Sequence, residues 1–221
     1  FLPTDGAAFK GGIPEIKNMV PFAPFDFYLK RKLYIHNMGH ATCAYLGDLL
    51  GLEYIYQSID VADIRILVQN AMLESALALS GKYGVALGDV VLHITDLLNR
   101  FTNAALKDTC ARVGGDPARK LSPDDRMIGS SALALEQGTT PAYIAVGAAA
   151  GVHRYIKEAE GMEQGMDAAK QVLRDVSKLD VDGELAKLIL SMYEKILAGA
   201  TVADLRRAAD AAKAATLKPI V

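Results

Sequence analysis

The chain has 221 residues, 51% of them hydrophobic and 23% charged, which is enough for one large domain with a sizeable core and too apolar for a disordered chain. Its formal net charge of −2 gives no global attraction to nucleic acid or to an anionic membrane, so an anionic ligand must be met by a local cluster of basic residues. The longest stretch without a charged or strongly polar residue, Ala142 to Val152, falls short of the roughly 20 residues needed to cross a bilayer.

Residues 1 to about 24 carry Pro3, Pro14, Pro21 and Pro24 and read as an extended or looping lead-in. The opening FLPTDGAAFKGG has neither the basic region nor the apolar core of a secretion signal. It begins with Phe rather than Met, so the expectation is a piece of a longer polypeptide.

From Phe25 onward the apolar spacing is helical almost everywhere and no period-two alternation is sustained. Helices are expected over about 25–49, then from Ser58, with Ser58 or Asp60 as cap, to Gly81, and over 88–103 and 104–113. Ser122-Pro123-Asp124-Asp125 carries a capping Ser, a first-turn Pro and two acids, and predicts a helix running to Gly138. Further helices follow from Pro141 to about Glu160 and over 165–177, 183–198 and 201–214, with breaks at Gly183 and Gly199. The Ala- and Gly-rich run 142–152 suits a close helix contact. The expected fold is mainly α, a multi-helix domain over 25–221 with little or no β-sheet. Cys43 and Cys110 are isolated and read as core or half-buried thiols, which suits a reducing, cytoplasmic setting. No G-x-G-x-x-G turn follows a strand, so this chain alone is not expected to bind a dinucleotide well.

The chemistry-bearing residues concentrate in Lys32-Leu33-Tyr34-Ile35-His36-Asn37-Met38-Gly39-His40. His36 and His40 have the four-residue spacing of a helical metal pair. A zinc hydrolase would place Glu directly after the first His as general base, where this chain has Asn37, and no third ligand stands at an obvious spacing. At about 100° per residue on an α-helix, Lys32 and His40 project about 80° apart and Asn37 and His40 about 60° apart, so the three can converge on one cavity. A lysine in an apolar pocket, here suggested by Leu33, Tyr34 and Ile35, holds its proton less tightly and can act as a base. An asparagine amide can stabilise a developing alkoxide, and a histidine can fix a neighbouring hydroxyl. Spacing alone favours the plainer reading of a surface lysine, a polar interruption and a satisfied buried histidine.

RKLYIHNMGHATCAYLG resembles the signature helix of the long-chain polyol dehydrogenases, the mannitol dehydrogenase family, in which Lys is followed after four residues by Asn and after two more by His. Lys32, Asn37 and His40 match it. FKGGIPEIKNM at 9–19 is similar to the segment leading into that family's C-terminal domain, and LKDTCARVGGDPARKLSPDDRMIG at 106–129 to a later stretch. The R-K-L-x-x-x-D-R pattern within it is most like the mannitol-1-phosphate 5-dehydrogenase branch.

The resemblance implies an N-terminal Rossmann-like domain, absent from this chain, that binds NAD, and a C-terminal helical domain that carries catalysis without a metal. In that branch the reaction interconverts mannitol 1-phosphate and fructose 6-phosphate, whereas free mannitol 2-dehydrogenases and hexuronate (fructuronate or tagaturonate) reductases are the alternatives within the family. Lys32 would be the general acid/base. Asn37, with a second asparagine from the absent domain, would form an oxyanion hole, and His40 would orient the substrate. Arg112 and Lys120 match basic residues near the substrate, and Arg119 lies beside Lys120. With Arg126 they form either a site for a sugar phosphate or, for Arg119 and Arg126, a surface paired with Asp124 and Asp125. Arg154 is a weaker candidate.

His36 and His93 are expected to be structural, and Tyr45, Tyr54 and Tyr56 to pack. Lys32, Asn37, His40, Arg112 and Lys120 should line one concavity, opening on an apolar face left by the missing nucleotide domain. The partners implied are a small polyol or sugar phosphate and that domain, with no nucleic acid and no membrane, and this fragment alone should be inactive. A helical interaction domain with a basic docking patch is the reading outside the enzyme class.

Overall fold

The computed structural model describes residues 2–216. The proline-rich lead-in is more ordered than expected: β1 (Leu2–Asp5) and β2 (Met19–Phe22) pair in parallel, with Leu2 opposite Met19 and Asp5 opposite Phe22. Pro3 and Pro21 fit because both strands of a two-stranded pair are edge strands, where a missing N–H leaves no ladder bond unmade. This pair is the only sheet among the described residues, and the rest of the fold is helical.

The helix expected over 25–49 has three parts. α1 (Asp26–Arg31) runs into a π-helical segment (Lys32–Asn37), which runs into α2 (Met38–Leu49). The Met38 amide donates to the Leu33 carbonyl five residues back, the wide closure of a π turn.

The single helix expected from Ser58 is two. α3 (Ile55–Asp60) and α4 (Ala62–Tyr83) meet at Val61, whose ψ of 116° is extended. Ser58 caps neither. It is buried, donates to the Tyr54 carbonyl at 3.1 Å and lies 3.2 Å from Cys110 Sγ. α5 (Leu87–Phe101) follows. The helix expected over 104–113 is a 3₁₀ turn (Ala104–Leu106) and α6 (Cys110–Gly114), parted by Lys107 at φ 50°.

α7 (Pro117–Lys120) was not foreseen, although Asp116 caps it and Pro117 opens it. The acids of Ser122–Asp125 cap nothing, because the Asp125 carboxylate is held by the Arg126 amide at 2.6 Å and its guanidinium at 2.7 Å. α8 (Ile128–Glu136) therefore starts later than predicted. α9 (Ala142–Glu158), α10 (Met166–Asp175), α11 (Glu184–Leu197) and α12 (Val202–Ala214) lie close to expectation. Residues 217–221, the end of the expected helical domain, lie outside the described residues.

α9 is the central rod and packs against α2, α4, α11 and α12. From Ala142 to Val152 only Tyr143 is not fully buried. The small side chains are a steric requirement: a Cβ on Gly147 would sit 2.4 Å from Thr42 Oγ1 of α2. Glu74 of α4 is buried at the start of α9 and accepts from the Tyr143 and Ile144 amides, each at 3.1 Å. Lys213 Nζ of α12 lies 3.3 Å from Glu74 and donates to the Thr140 carbonyl at 2.7 Å. One carboxylate thus caps α9 and ties α4 to α12. Burial raises its pKa to about 7, against Lys213 and the two amides. Cys43 and Cys110 are both buried and free. Among the described residues no helix is long and apolar enough to cross a membrane.

Candidate active site

Lys32 is the first residue of the π-helical segment and Asn37 the last, with His40 in the first turn of α2. The projection angles above assumed an α-helix throughout and do not hold across a wider turn. The face is also divided differently: Tyr34 and Ile35 are buried, while Lys32 is exposed and Asn37 and His40 are half-buried. The apolar pocket expected around Lys32 is therefore not made by its sequence neighbours, two of which belong to the core. Lys32 has no carboxylate within ion-pair distance among the described residues, and the Asn37 side chain makes no hydrogen bond there.

His36 and His40 face a small cleft with a cavity volume of about 40 Å³, walled also by Tyr56, Arg100, Phe101 and Asp108 but not by Lys32, Asn37 or Arg112. A space of that size holds a few water molecules or one polar group of a ligand, not a whole sugar. The His40 ring stacks on Phe101, 4.7 Å between centroids and 13° between planes, and His36 lies 6.1 Å from His40. Burial lowers the pKa of His40 to about 4, with Asp108 opposing. At neutral pH the ring is uncharged, so its 3.5 Å approach to Asp108 is not an ion pair. Nε2 is buried without a hydrogen-bond partner. A carboxylate so near disfavours a lone pair on Nε2 and favours the tautomer with Nε2–H. His36 is likewise lowered to about 4, by burial and then by Arg100, His93 and Lys32. It belongs to the cleft and not to the core, contrary to its expected packing role. His93 is half-buried in a separate groove beside Arg31 and Leu92.

Asp108 was missed in the sequence, and its placement is local. Ile55 N donates to the Asp108 carbonyl and Cys110 N to the Glu53 carbonyl, at 2.9 and 2.8 Å, around an antiparallel bridge between Tyr54 and Thr109. Thr109 then caps α6 by accepting from the Arg112 amide at 3.1 Å. Asp108 is left between His40 and Arg112, and pairs with the Arg112 guanidinium. The signal was an acid four residues before Arg112, the i,i+4 pairing distance.

Arg112 thus reaches His40 of α2 through Asp108. Arg119 and Lys120 lie in a second cluster. Arg119 pairs with Asp116 at 2.7 Å and with Asp125 at 3.2 Å, and Arg126 pairs with Asp125. Lys120 is buried, and burial followed by Arg126 and Arg119 lowers its pKa. None of its described interactions is with Lys32, Asn37, His40 or Arg112. Arg154 pairs with Asp48 and Glu158.

No group of three His, Cys, Asp or Glu side chains among the described residues is arranged to hold a metal ion. A dinucleotide also lacks a cradle in the parallel pair. β1 runs into a 3₁₀ turn (Gly6–Ala8) whose Ala7 amide, at 2.9 Å, is already taken by the Asp5 carboxylate, so a negative charge stands where a phosphate would need donors.

Residues 25–210 match the family model described as the mannitol dehydrogenase C-terminal domain. The chain is 36% identical over 173 residues to a mannitol-1-phosphate 5-dehydrogenase of Caldanaerobacter subterraneus subsp. tengcongensis, covering 75% of this chain and 44% of that one. It is 34% identical over 174 residues to another of Thermoanaerobacter pseudethanolicus, covering 76% and 45%. It thus spans less than half the length of these relatives. The fold is like that of Pseudomonas fluorescens mannitol 2-dehydrogenase, solved as a ternary complex with NAD and D-mannitol, with a TM-score of 0.68 at 17% identity over 86% of this chain and 42% of that one. A substrate-free D-sorbitol dehydrogenase gives 0.64 at 15% identity, over 85% and 42%. A helical fold shared with solved polyol dehydrogenases and a family match over most of its length agree: this chain belongs to the mannitol dehydrogenase family, as a C-terminal domain.

Proposed function

We propose that this chain is the substrate and catalytic domain of an NAD-dependent dehydrogenase that interconverts mannitol 1-phosphate and fructose 6-phosphate without a catalytic metal. The dinucleotide is held by an N-terminal domain of the same enzyme, and the setting is cytoplasmic, which the two free buried thiols suit. The observation that carries the reading is His40 Nε2, buried and unpartnered in a cleft on the helix that also presents Lys32 and Asn37. A buried polar atom left without a partner is costly, and a substrate hydroxyl supplies one. The mannitol-1-phosphate 5-dehydrogenase relatives support the phosphorylated substrate. Leu92, 70% exposed in the groove beside Arg31, supports a covering domain.

The hydride acceptor that alcohol oxidation requires is supplied from outside this chain. The chain's own part is the proton and the oxygen. Lys32 Nζ takes the hydroxyl proton in oxidation and returns it in reduction. The Asn37 amide donates to the same oxygen as charge develops on it. His40, neutral and held flat against Phe101, donates from Nε2 to the substrate and fixes its orientation.

The test is Lys32→Ala in the full-length enzyme. Turnover should fall at least about 100-fold, the scale of a general acid–base contribution, with fructose 6-phosphate still bound. Unchanged turnover would return the chain to the class of helical interaction domains. Turnover of fructose or a hexuronate as good as that of fructose 6-phosphate would favour a mannitol 2-dehydrogenase or a hexuronate reductase, and inactivation by a chelator would overturn the metal-free mechanism.

A further inference from the structure

We infer that Arg100, in the last turn of α5, is the cation that receives the phosphate of the substrate, with Asn103 as a neutral donor beside it. The inference deepens the proposed function and rests on it.

Arg100 and Asn103 line the same cleft as His36 and His40. Arg100 is exposed, and no carboxylate lies within 4.0 Å of its guanidinium among the described residues, although Asp96 stands one turn earlier on α5. Every other candidate arginine is occupied: Arg112 by Asp108, Arg119 by Asp116 and Asp125, Arg126 by Asp125, and Arg154 by Asp48 and Glu158. A guanidinium already forked onto carboxylates must break those contacts to hold phosphate, whereas a free one presents its donors at once.

Asn103 is held in the useful orientation. Its Oδ1 accepts from the Ala105 amide at 3.0 Å, as cap of the 3₁₀ turn. The acceptor end is thereby engaged, and the Nδ2 hydrogens are left as donors.

Charge in the cleft points the same way. The histidines are neutral there and Asp108 is paired with Arg112 beside the cleft, so Arg100 is the uncompensated charge of the lining. This local excess of positive charge occurs in a chain of net charge −2 and suits a phosphate monoester, which carries about −1.5 to −2 at neutral pH. His36 feels both Lys32 and Arg100, so both cations lie near it. In mannitol 1-phosphate the anion is at the far end of the carbon chain from the reacting hydroxyl. Arg100, carried by α5, is on a different element from the trio of Lys32, Asn37 and His40, and that suits a phosphate remote from the reacting hydroxyl.

The test uses the full-length enzyme and compares fructose 6-phosphate with fructose. In Arg100→Gln, the ratio of kcat/KM for the phosphorylated to the free sugar should fall about 10- to 100-fold, the worth of a charge-assisted pair. The loss should appear in KM, and competitive inhibition by inorganic phosphate should disappear with it. Arg100→Lys should recover part of the preference, keeping the charge but not the fork, and Asn103→Ala should lower the ratio a few-fold. Loss of the preference in Arg119→Gln with retention in Arg100→Gln would overturn the inference and leave the proposed reaction standing. A parent enzyme that never distinguishes the two sugars would overturn both. Phosphate binding measured by calorimetry in Lys32→Ala separates the anion site from catalysis, since that variant should lose turnover and still bind phosphate.

Discussion

Glu74 and His40 are both polar residues set well into the helical body, and they differ in what surrounds them. Glu74 receives two backbone amides and an ammonium, and joins α4, α9 and α12. His40 has a buried Nε2 with no hydrogen bond, a carboxylate 3.5 Å away and a cleft in front of it. The first arrangement has its hydrogen bonds made within the protein, and the second leaves Nε2 without one. An unpartnered buried atom is not by itself a mark of function, since Tyr45 Oη and Ser75 Oγ are also without a partner; what sets His40 apart is that it also lines a cleft.

The largest effect that sharpens the contrast is expected from Glu74→Ala. It leaves Lys213 and the first amides of α9 without their partner and should cost about 3–5 kcal/mol, read by denaturant unfolding. The next effect is in pH dependence. His40 has a folded-state pKa of about 4, below its value of about 6.5 in the unfolded chain. Between those values the unfolded chain binds more protons, so this group's contribution is present above pH 6.5 and is lost as pH falls towards 4, by up to about 3 kcal/mol.

Glu74 acts in the opposite sense. Its folded-state pKa of about 7 lies above the unfolded value of 4.5, so its contribution falls as pH rises from 4.5 to 7. Unfolding followed from pH 7 to pH 4 should show a steeper acid loss in Glu74→Gln than in the parent, and a shallower one in His40→Leu. Identical slopes in all three would break the comparison. The smallest effect on stability is expected from His40→Leu at pH 7. Replacing an unsatisfied polar ring by an apolar side chain should change stability by less than about 1 kcal/mol, while activity of the full-length enzyme is largely lost. A large destabilisation would place His40 with Glu74 as an architectural residue.

Much of the helical fold was legible because apolar periodicity and glycine breaks carry it, and from Pro141 onward the elements lie where the pattern put them. The misses share a cause: a side chain that could cap was engaged elsewhere. Ser58 faces Tyr54 and Cys110, and Asp125 is held by Arg126, while Asp116 and Pro117 open a short helix that the stronger signal downstream obscured. Lys32, Asn37 and His40 could be singled out from the motif. The i,i+4 spacing signalled an Asp108–Arg112 pair but not its place beside His40, and nothing signalled Arg100, because a single antiparallel bridge and the end of α5 bring these residues to the cleft from distant parts of the chain. Nor does any residue pattern in 32–37 announce a π turn.

That π turn has a consequence for how the domain tolerates changes in length. Elsewhere in a buried helix, losing one residue rotates everything before it by about 100° and ruins the packing. Within Lys32–Asn37 one residue is already in excess of the α-helical count, so a deletion there has a ready destination: an ordinary α-helix from Asp26 to Leu49, with its backbone ladder intact. The helix would survive and the phase between Lys32 and His40 would not. A shortened relative of this chain could thus keep a sound fold while its lysine and histidine no longer address the same substrate.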